Sequence, residues 1–432
     1  MSERRSVSIR VPVLARVEGE GALELDVEGG RISELKLRIY EPPRFFEKFL
    51  EGRGFEEVPD TVARICGICP VAYQMSAVHA IEAVFGIDAG PWVRAMRRVM
   101  YCGEWLQSHS LHIHLLAAPD FLGFDSVVGM AGEHAEAVRR GLELQGLGND
   151  LIRLFGGRSV HPVGVCVGGF HRAPDAEQVR DLVARLRAAL PQAEALVEWA
   201  AGLPLPEDEQ DFVSVALRHR EEYPMNEGRL VSSDGLDCSI ADYERHFAEE
   251  QVAHSTALHS SLHGRPYLVG PLARLNLNHD RLPDAVRSTM ERCGLRLPSR
   301  NMFHSVVARA VEVHLAVYEA LRLLERYVPP DQPFVDVTPH PGVGYGCTEA
   351  PRGLLWHRYE LDAAGQVRAA RIVPPTSQNQ ARIEQDLRVS LEAFGLEHDD
   401  DALRLRGETV IRNYDPCISC ATHFLRITVN RP

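Results

Sequence analysis

Two Cys-x-x-Cys pairs at opposite ends of the sequence constrain this chain more than any other feature. The first pair is Cys66 and Cys69, and the second is Cys417 and Cys420. Two intervening residues let both sulfurs of a pair reach one metal, and four thiolates complete a site for a soft metal. If the two pairs meet, almost the whole chain closes around one centre made of nickel, zinc, copper(I) or an iron–sulfur cluster.

The spacing leaves three interpretations of these cysteines. A structural zinc site usually gathers its ligands within a few tens of residues, whereas most of the chain separates the two pairs here. A thioredoxin-like redox pair needs a βαβ context, which neither pair has. One joint metal centre is therefore favoured, and structural zinc and separate redox pairs stay open. The other five of the nine cysteines are expected to be small buried apolar residues.

Composition excludes several classes of function. The chain has 432 residues, of which 45% are hydrophobic and 25% charged, as in ordinary globular proteins. Its net charge of −13 argues against a nucleic-acid partner held by phosphate neutralisation. No signal peptide is visible at the N-terminus, and the longest run without charged residues, 65–81, is too short and polar for a membrane span. We expect a cytoplasmic protein without a membrane span.

The N-terminal region alternates between apolar and polar residues. Apolar side chains recur at every second position from Val7 to Val13 and again from Leu23 to Val27, with glycine-containing turns between. This period predicts a small β-meander, and residues 43–50 then become helical. We therefore predict an N-terminal meander within residues 1–60.

From about Pro91 the apolar period changes to that of a helix. The predicted helices are about 91–110, 127–155, 175–201, 305–326 and 377–394, the last directly before the second Cys pair. Irregular or β insertions are expected at about 203–300 and 329–376, with strands 353–361 and 367–373 paired. The predicted fold class is α+β, a mainly helical bundle core with peripheral β elements. Residues 61–432 would form this helical body, integrated with the meander into one unit.

The residues around both pairs resemble the large, catalytic subunit of nickel–iron hydrogenases. The pairs lie in RICGICP and DPCISCATH, and six further matches follow the order of that family. These matches are Arg16 to Gly19, Arg44 to Glu47, Gly156 to Arg158 with His161 and Pro162, Val269 to Arg274, Glu349 to Gly353, and Pro375 and Thr376 with Asn379. The resemblance covers essentially the whole chain. It implies that family's fold and the reversible, heterolytic cleavage of H2.

The resemblance also implies a metal centre and its ligands. The four cysteines would hold nickel, with Cys66 and Cys417 as terminal ligands and Cys69 and Cys420 bridging to an iron. The iron would carry carbon monoxide and cyanide ligands. Soft thiolates keep nickel electron-rich and can accept protons, which suits the splitting of H2.

Four residues near the second pair acquire implied roles. Arg352 would lie over the open site, polarise bound hydrogen and donate to a cyanide. Thr376 would donate to the other cyanide, and Pro351 would line the cofactor beside Arg352. Asp415 would orient Arg352 through a bidentate pair. Two alternatives stay open from the sequence alone: Thr376 as a turn hydroxyl that bonds its own backbone, and Asp415 as a residue that only shapes the turn with Pro416.

Glu18 is the implied proton relay, because the matching glutamate of the family lies beside a terminal cysteine. Without the family match it would be an exposed turn residue. Glu47 and His423 match the ligands of a second, hard cation. A carboxylate suits magnesium and an imidazole favours iron, so we expect magnesium or iron near His423.

Nine residues follow His423, and the resemblance implies that a specific protease removes them once nickel-insertion proteins have loaded the metal. Cleavage would fall between His423 and Phe424. The chain departs from the common pattern at Tyr73, Glu20 and Ser108, where many members carry His, His and Asp. With these departures, the chain resembles the cytosolic branch of the family, which contains the NAD(P)-linked enzymes and the sulfhydrogenase alpha subunits.

That branch implies partner subunits. No Gly-x-Gly-x-x-Gly follows a strand, and no cysteine set remains for a cluster relay, so electrons must leave through another chain. We expect a small subunit with iron–sulfur clusters and a diaphorase subunit with FAD that passes electrons to NAD(P). Two rivals remain: the same H2 chemistry feeding a heterodisulfide reductase or a deazaflavin, and a non-enzymatic scaffold with structural zinc. The related subunit of respiratory complex I shares this fold but lacks the four cysteines, so their presence argues against that identity.

Overall fold

The computed structural model describes residues 6–423 of the chain. Its α-helices are α1 (Phe46–Leu50), α2 (Val58–Val62), α3 (Pro70–Phe85), α4 (Gly90–Leu111), α5 (Ala118–Leu122), α6 (Val127–Glu133), α7 (Ala135–Gly156), α8 (Ala176–Ala201), α9 (Tyr243–His246), α10 (Pro271–Asn278), α11 (Asp284–Arg292), α12 (Ser305–Leu324), α13 (Pro375–Phe394), α14 (Asp400–Tyr414) and α15 (Ile418–Ala421). A π-helical segment, His112–Ala117, joins α4 to α5.

The strands form small antiparallel sheets. They are β1 (Val7–Val11), β2 (Gly21–Glu28), β3 (Arg31–Ile39), β4 (Val165–Cys166), β5 (Gly169–Phe170), β6 (Val215–Arg218), β7 (Arg229–Ser232), β8 (Asp237–Cys238), β9 (Phe247–Gln251), β10 (Leu258–Leu262), β11 (Gly342–Ala350), β12 (Gly353–Leu361) and β13 (Val367–Val373). Three sheets have three strands in chain order, β1-β2-β3, β6-β7-β8 and β11-β12-β13, and two are hairpins, β4-β5 and β9-β10. The α+β fold class with a helical core is confirmed.

The N-terminal meander follows from its side-chain alternation. Val7, Ile9 and Val11 are buried along β1, whereas Ser8 and Arg10 between them are exposed. One face of the sheet thus packs on the protein and the other meets water, which is what a period of two dictates. Strands β12 and β13 also occur at the predicted positions and pair with each other. The division of the chain at residue 60 into two integrated parts stays a prediction.

Three helices differ from the predictions. The predicted helix 127–155 is two helices, because the chain turns at His134 (φ −122°, ψ 41°) between α6 and α7. Helix α13 does not lead directly into the second Cys pair, since α14 intervenes. Helix α3, which follows the first pair, is absent from the predictions, because it is buried on nearly every face and so lacks a one-sided apolar stripe.

Helix α3 rests directly on strand β11. A Cβ at Gly344 would lie 2.0 Å from the carbonyl oxygen of Ala80, and one at Gly346 would lie 2.0 Å from that of Ser76. No side chain fits in that space, so glycine is required for this approach. The contact fixes the helix that carries the chain away from Cys69.

A buried ion pair ties α3 to α4. Arg97 donates from both Nη atoms to the two carboxylate oxygens of Glu82, at 2.8 and 2.6 Å. Burial opposes ionisation of Glu82, but Arg97 holds the pKa of this carboxyl below its usual value. Gly168 N also donates to Glu82, at 2.7 Å, so the glycine-rich loop after α7 is anchored at the same point.

Two apolar clusters fill the interior. The larger one contains buried residues of the meander, of the long helices and of both Cys loops. The smaller one lies between the 203–300 region and the β11-β12-β13 sheet. In it the Tyr243 ring stacks on Trp356 and Phe247, with centroids 4.8 and 4.4 Å apart.

No single helix among residues 6–423 has the length and apolar character that crossing a membrane requires. One pair meets the length and composition criterion together: Gly90–Leu122 and Val127–Glu133, bent by 77°. Most side chains of α4, which begins this pair, are buried inside the protein.

Candidate metal centre

The four cysteines of the two pairs converge on one buried point. Cys66 Sγ lies 3.2 Å from Cys417 Sγ, and Cys69 Sγ lies 3.4 Å from Cys420 Sγ. Cys417 and Cys420 approach each other to 2.9 Å, and all four sulfurs lie within 4.8 Å of one another. Each of these residues is at most 3% exposed. The predicted meeting of the chain ends is therefore present, and the cluster can bind a metal.

Two hydrogen bonds from main-chain N–H groups hold the second Cys loop in place. Ile418 N donates to the carbonyl oxygen of Glu18 at 3.0 Å, in a parallel bridge between Glu18 and Cys417. Thr376 Oγ, in the first turn of α13, accepts a hydrogen bond from Cys417 N at 3.0 Å. The N-terminal region and α13 thus hold the second Cys loop from two sides.

Arg44 links the two Cys loops directly. Its Nη2 donates to the carbonyl oxygen of Ile65, just before Cys66, at 2.7 Å, and also to that of Ser419, between Cys417 and Cys420. Charged donors of this kind make the stronger hydrogen bonds in proteins. The sequence placed Arg44 in a matching segment but gave it no function, because both acceptors are main-chain atoms that no motif reveals.

Glu104 of α4 holds the start of α3 behind the first pair. Its carboxylate accepts hydrogen bonds from Val71 N at 2.6 Å and from Ala72 N at 3.1 Å. N–H groups in the first turn of a helix have no acceptor inside the helix. Glu104, about thirty residues later in the sequence, provides the acceptor for these two. Burial raises the pKa of Glu104 well above its usual value. No sequence signal indicates this contact, because the two segments pair only in the fold.

The donor set suits a soft metal ion. Hydrogen bonds from the three neighbouring sulfurs lower the pKa of Cys66, whereas burial raises the pKa of Cys417 and Cys420. Several buried thiolates cannot be kept together without a compensating positive charge. A divalent soft cation supplies that charge and takes thiolates as ligands.

Arg352 lies against this centre with its orientation fixed. Its Nη2 donates to Asp415 Oδ1 at 2.9 Å, its Nε donates to the Asp415 carbonyl oxygen at 2.7 Å, and its Nη1 contacts Ser108 Oγ at 3.3 Å. The predicted contact with Asp415 is present, but it uses only one carboxylate oxygen, so the expected bidentate carboxylate pair is wrong. Burial alone would lower the pKa of Arg352, but Asp415 and the cysteine sulfurs raise it well above its usual value.

Thr376 and Pro351 are both buried, and Thr376 contacts the second Cys loop. The Thr376 hydroxyl does not bond its own turn; it accepts from Cys417 N and keeps its proton for another acceptor. The Pro351 carbonyl oxygen accepts from Arg274 Nη2 at 3.1 Å. Pro351 therefore acts through its main chain, as part of the support for Arg352.

A buried charge network fixes the segment that carries Arg352. Arg274 donates to Glu312 at 2.7 and 2.8 Å, to Glu349 at 3.0 Å and to the Ala350 carbonyl oxygen at 2.7 Å. The side chains of the three charged residues are fully buried. Burial raises the pKa of Glu349 to about 7, whereas Arg274 overcomes burial and lowers the pKa of Glu312 to about 2. The segments Val269 to Arg274 and Glu349 to Gly353, which are separate matches in the sequence, thus contact each other and together hold Arg352 in place.

Glu18 lies at the edge of the cysteine cluster. Its Oε2 accepts from Ser419 N at 3.1 Å, and the residue is half-buried. Burial raises the pKa of Glu18, and the nearby Cys66 sulfur raises it further. A carboxyl between the sulfurs and the surface, with a raised pKa, can accept a proton and release it.

Glu47 and His423 meet on the other side of the second pair. His423 Nε2 lies 3.8 Å from Glu47 Oε1 and 2.8 Å from the Ile372 carbonyl oxygen. Burial lowers the pKa of His423, and both Glu47 and His423 influence the pKa of Glu249 beside them. Carboxylates, a carbonyl oxygen and a neutral imidazole are groups that can bind a hard or borderline cation.

Three departures from the common family pattern have different surroundings. Tyr73 is fully buried, its hydroxyl has no hydrogen-bond partner within residues 6–423, and burial and the Cys420 and Cys69 sulfurs raise its pKa. Ser108 contacts Arg352, whereas Glu20 is exposed. Of the five remaining cysteines, Cys166 and Cys293 are only half-buried, contrary to the expectation.

Comparisons with known proteins agree with this geometry. A profile of the family described as nickel-dependent hydrogenase matches residues 44–142 and 232–423. Sulfhydrogenase 1 subunit alpha of Pyrococcus furiosus is 33% identical over 423 residues, which cover 97% of this chain and 98% of that protein. The NAD-reducing hydrogenase HoxS subunit beta of Cupriavidus necator is 28% identical over 461 residues, covering 95% and 94% of the two chains.

The fold is also similar to that of a solved hydrogenase. A crystal structure of an NAD+-reducing [NiFe]-hydrogenase in the H2-reduced state superposes with a TM-score of 0.88 at 27% identity. The match covers 97% of this chain and 100% of the other. Sequence and fold comparisons thus identify the same kind of protein over nearly the full length.

Proposed function

Because the chain belongs to the nickel-dependent hydrogenase family, we propose that Cys66, Cys69, Cys417 and Cys420 hold its nickel. The chain is a hydrogenase large subunit, and its reaction is the reversible cleavage of H2 into protons and electrons. The observation that carries the ligand assignment is the approach of these four buried sulfurs to within 4.8 Å of one another.

The full centre would pair nickel with an iron. Cys66 and Cys417 would be the terminal ligands in this proposal, and Cys69 and Cys420 would be shared with an iron that would carry carbon monoxide and cyanide. Such a centre supplies a soft, electron-rich site at which H2 is polarised. Tyr73 is fully buried, which raises its pKa, and the Cys420 and Cys69 sulfurs are near enough to raise that pKa further.

Arg352, Asp415 and Thr376 shape the environment of the bound gas. Arg352 presents a fixed positive charge, since the fork to Asp415 prevents its rotation and its raised pKa keeps it protonated. A preorganised charge of this kind stabilises developing negative charge without reorganisation. Thr376 keeps a hydroxyl proton free to donate to a cyanide, because its oxygen already accepts from Cys417 N.

Glu18 would receive the proton. It lies beside the second Cys loop through Ser419 N and is half-buried, so protons can pass from the centre towards the surface. The raised pKa of Glu18 lies closer to neutral pH, and a carboxyl near its pKa can both accept and release a proton. The second cation, magnesium or iron, would be held by Glu47 and His423, which lie 3.8 Å apart. That cation would fix the C-terminal segment against β13.

The electron acceptor lies beyond this chain. We infer a small subunit with iron–sulfur clusters and a diaphorase subunit with FAD that reduces NAD(P), in a cytoplasmic complex. The names of the NAD-reducing and sulfhydrogenase relatives support this choice. A heterodisulfide reductase or a deazaflavin is the alternative acceptor, and assays of the purified complex with each acceptor separate them.

The test of the metal assignment is elemental and spectroscopic. Purified complex should contain nickel and iron, and an infrared spectrum should show the stretches of bound carbon monoxide and cyanide. Cys66→Ser should abolish nickel retention and H2-dependent dye reduction. Cys166→Ser is the matched control, since Cys166 is half-buried and outside the cluster. Zinc in place of nickel, without infrared bands, would instead favour the structural scaffold.

Removal of the C-terminal tail is a separate proposal. Residues 424–432 lie outside the described residues, and cleavage between His423 and Phe424 would follow nickel loading by insertion proteins. Intact-mass spectrometry of the active enzyme should give a chain ending at His423. An active chain of full length would contradict this step and leave the metal assignment untouched.

A further inference from the structure

We propose that His254, His259 and Glu384 form a further metal site of the zinc type, separate from both the cysteine centre and the Glu47–His423 pair. Their ligand atoms lie within 4.8 Å of one another. His254 lies in the turn between β9 and β10, His259 lies in β10, and Glu384 lies in the middle of α13.

The contacts among the three side chains point to a shared ligand. His254 Nε2 lies 2.7 Å from Glu384 Oε1, and the two imidazole rings stand 5.7 Å apart at 87°. His259 is 5% exposed, and its Nε2 has no hydrogen-bond partner in the described part of the chain. A buried imidazole nitrogen without a partner costs free energy, and a metal ion at this point would satisfy it.

The donor set selects the kind of cation. Two imidazole nitrogens and one carboxylate oxygen are a known ligand set for Zn²⁺, with water in the fourth position. Magnesium and calcium prefer oxygen ligands and would not choose two histidines. Burial lowers the pKa of His259, which keeps the imidazole neutral and able to bind.

The neighbouring groups support a positive ion. Glu250 is paired with His259 across the β9-β10 hairpin, so a second carboxylate lies close to the site. Leu37 N donates at 2.9 Å to Glu384 Oε1, the same oxygen that faces His254, and so fixes the position of the carboxylate. A surface cavity of about 440 Å³ reaches His254, which lines it together with Tyr40 and Gln251.

The site joins three distant parts of the chain. Glu384 belongs to α13, the histidines belong to the β9-β10 region, and Leu37 belongs to the meander strand β3. Helix α13 begins beside Thr376, which holds the second Cys loop, and Glu384 lies about 12 Å further along the helix axis. A bound ion would therefore hold α13 against the rest of the protein without touching the H2 site.

Zinc binding can be measured on the intact complex. The complex is purified without a histidine tag, dialysed against a chelator and titrated with Zn²⁺. Wild type should take up one equivalent more than Glu384→Gln or His259→Gln, and Zn²⁺ should raise the thermal midpoint of wild type only. Glu384→Gln retains the acceptor for Leu37 N, so it decides the question if His259→Gln folds poorly. The exposed His340→Gln should behave as wild type.

Two further readouts separate this site from the cysteine centre. X-ray absorption of the added zinc should show only nitrogen and oxygen ligands at about 2.0–2.1 Å, without sulfur at about 2.3 Å. Nickel content and H2-dependent dye reduction should be unchanged in Glu384→Gln. Equal zinc uptake by wild type and both variants, or sulfur ligation of the added zinc, would overturn the proposal.

Discussion

The guanidinium of Arg352 is held by the side chain and the main chain of Asp415 together. Nη2 donates to the carboxylate at 2.9 Å and Nε to the carbonyl oxygen at 2.7 Å. Asp415 has a left-handed backbone (φ 57°) directly after α14, two residues before Cys417. The turn that leads into Cys417 thus also fixes the orientation of Arg352.

Arg352→Lys should retain nickel but lower the rate of H2 oxidation. Lysine keeps the charge, yet it has no planar fork to bind Asp415 in two places. We expect a loss of about 100-fold or more in kcat, the usual effect of removing one preorganised donor. Nickel content and dye reduction under H2 measure the two effects. Arg187→Lys on the surface is the control, and an active Arg352→Lys enzyme would show that charge alone suffices.

Glu18→Gln should slow proton transfer while leaving the metal centre intact. Glutamine still accepts the hydrogen bond from Ser419 N, but it cannot carry a proton. We expect exchange between H2 and D2O to fall by about 100-fold or more. The infrared bands of the centre should not shift beyond small electrostatic changes.

Glu20→Gln is the matched control for that experiment, because Glu20 lies two residues away and is exposed. Its exchange rate should equal that of wild type. If Glu18→Gln exchanges as fast as Glu20→Gln, protons leave the centre by another route.

Arg44→Gln should weaken nickel retention. Arg44 bridges the carbonyl oxygens of Ile65 and Ser419, so its loss releases the two Cys loops from each other. A hydrogen bond from a charged donor contributes about 1.5–3 kcal/mol, so we expect a roughly tenfold to hundredfold faster loss of nickel to a chelator. Arg53→Gln, on the same short segment, should lose nickel no faster than wild type.

Arg274→Met should destabilise the fold strongly. It leaves Glu312 as a buried charge without its cation and removes the partner of Glu349, and breaking such a buried pair costs about 3–5 kcal/mol. Thermal unfolding of the complex measures the loss. Combining Arg274→Met with Glu349→Gln should recover part of it, since the second carboxyl then no longer depends on a cation.

Arg281→Met is the control for this network. Arg281 makes a partly exposed ion pair with Asp280, and such surface pairs contribute about 0–1 kcal/mol. Equal effects of the two arginine substitutions would refute the assigned importance of the buried network.

Asp386→Asn should change how stability depends on pH. Burial raises the pKa of Asp386 to about 7 in the folded protein, from its ordinary value of 3.8. Between these values the folded state binds the additional proton, so this group's contribution to stability falls as pH rises through that window. Asparagine cannot ionise and avoids the cost.

The unfolding midpoint of Asp386→Asn, relative to wild type, should therefore rise between pH 5 and pH 8. The change over this range corresponds to roughly 3 kcal/mol, because only about two pH units of the window lie above pH 5. The exposed Asp331→Asn should show no such trend. A relative midpoint that stays level across this range would mean that Asp386 ionises normally.

Sequence patterns located many elements but missed the two long helices that adjoin the Cys loops, α3 and α14. Helix α3 has sequence signals at both ends, Pro70 in its first turn and Gly86 after its last, but no polar face to reveal its period. Helix α14 begins with acidic residues after its N-cap Asp399, a recognisable start that the prediction overlooked. Helix α3 could not be predicted from periodicity because it is buried on all sides. Helix α14 could have been predicted from its N-cap Asp399 and the acidic residues that follow.

The sequence alone determined the metal-binding residue types. The spacing of the cysteines specified the donor set, because chelation of a metal depends on local spacing. The residues around each pair specified the family. Only the tertiary structure decided what holds those donors in place. Arg44, Glu104 and Arg274 act on atoms far away in sequence, and such pairings exist only once the packed interior has excluded water and brought the partners together.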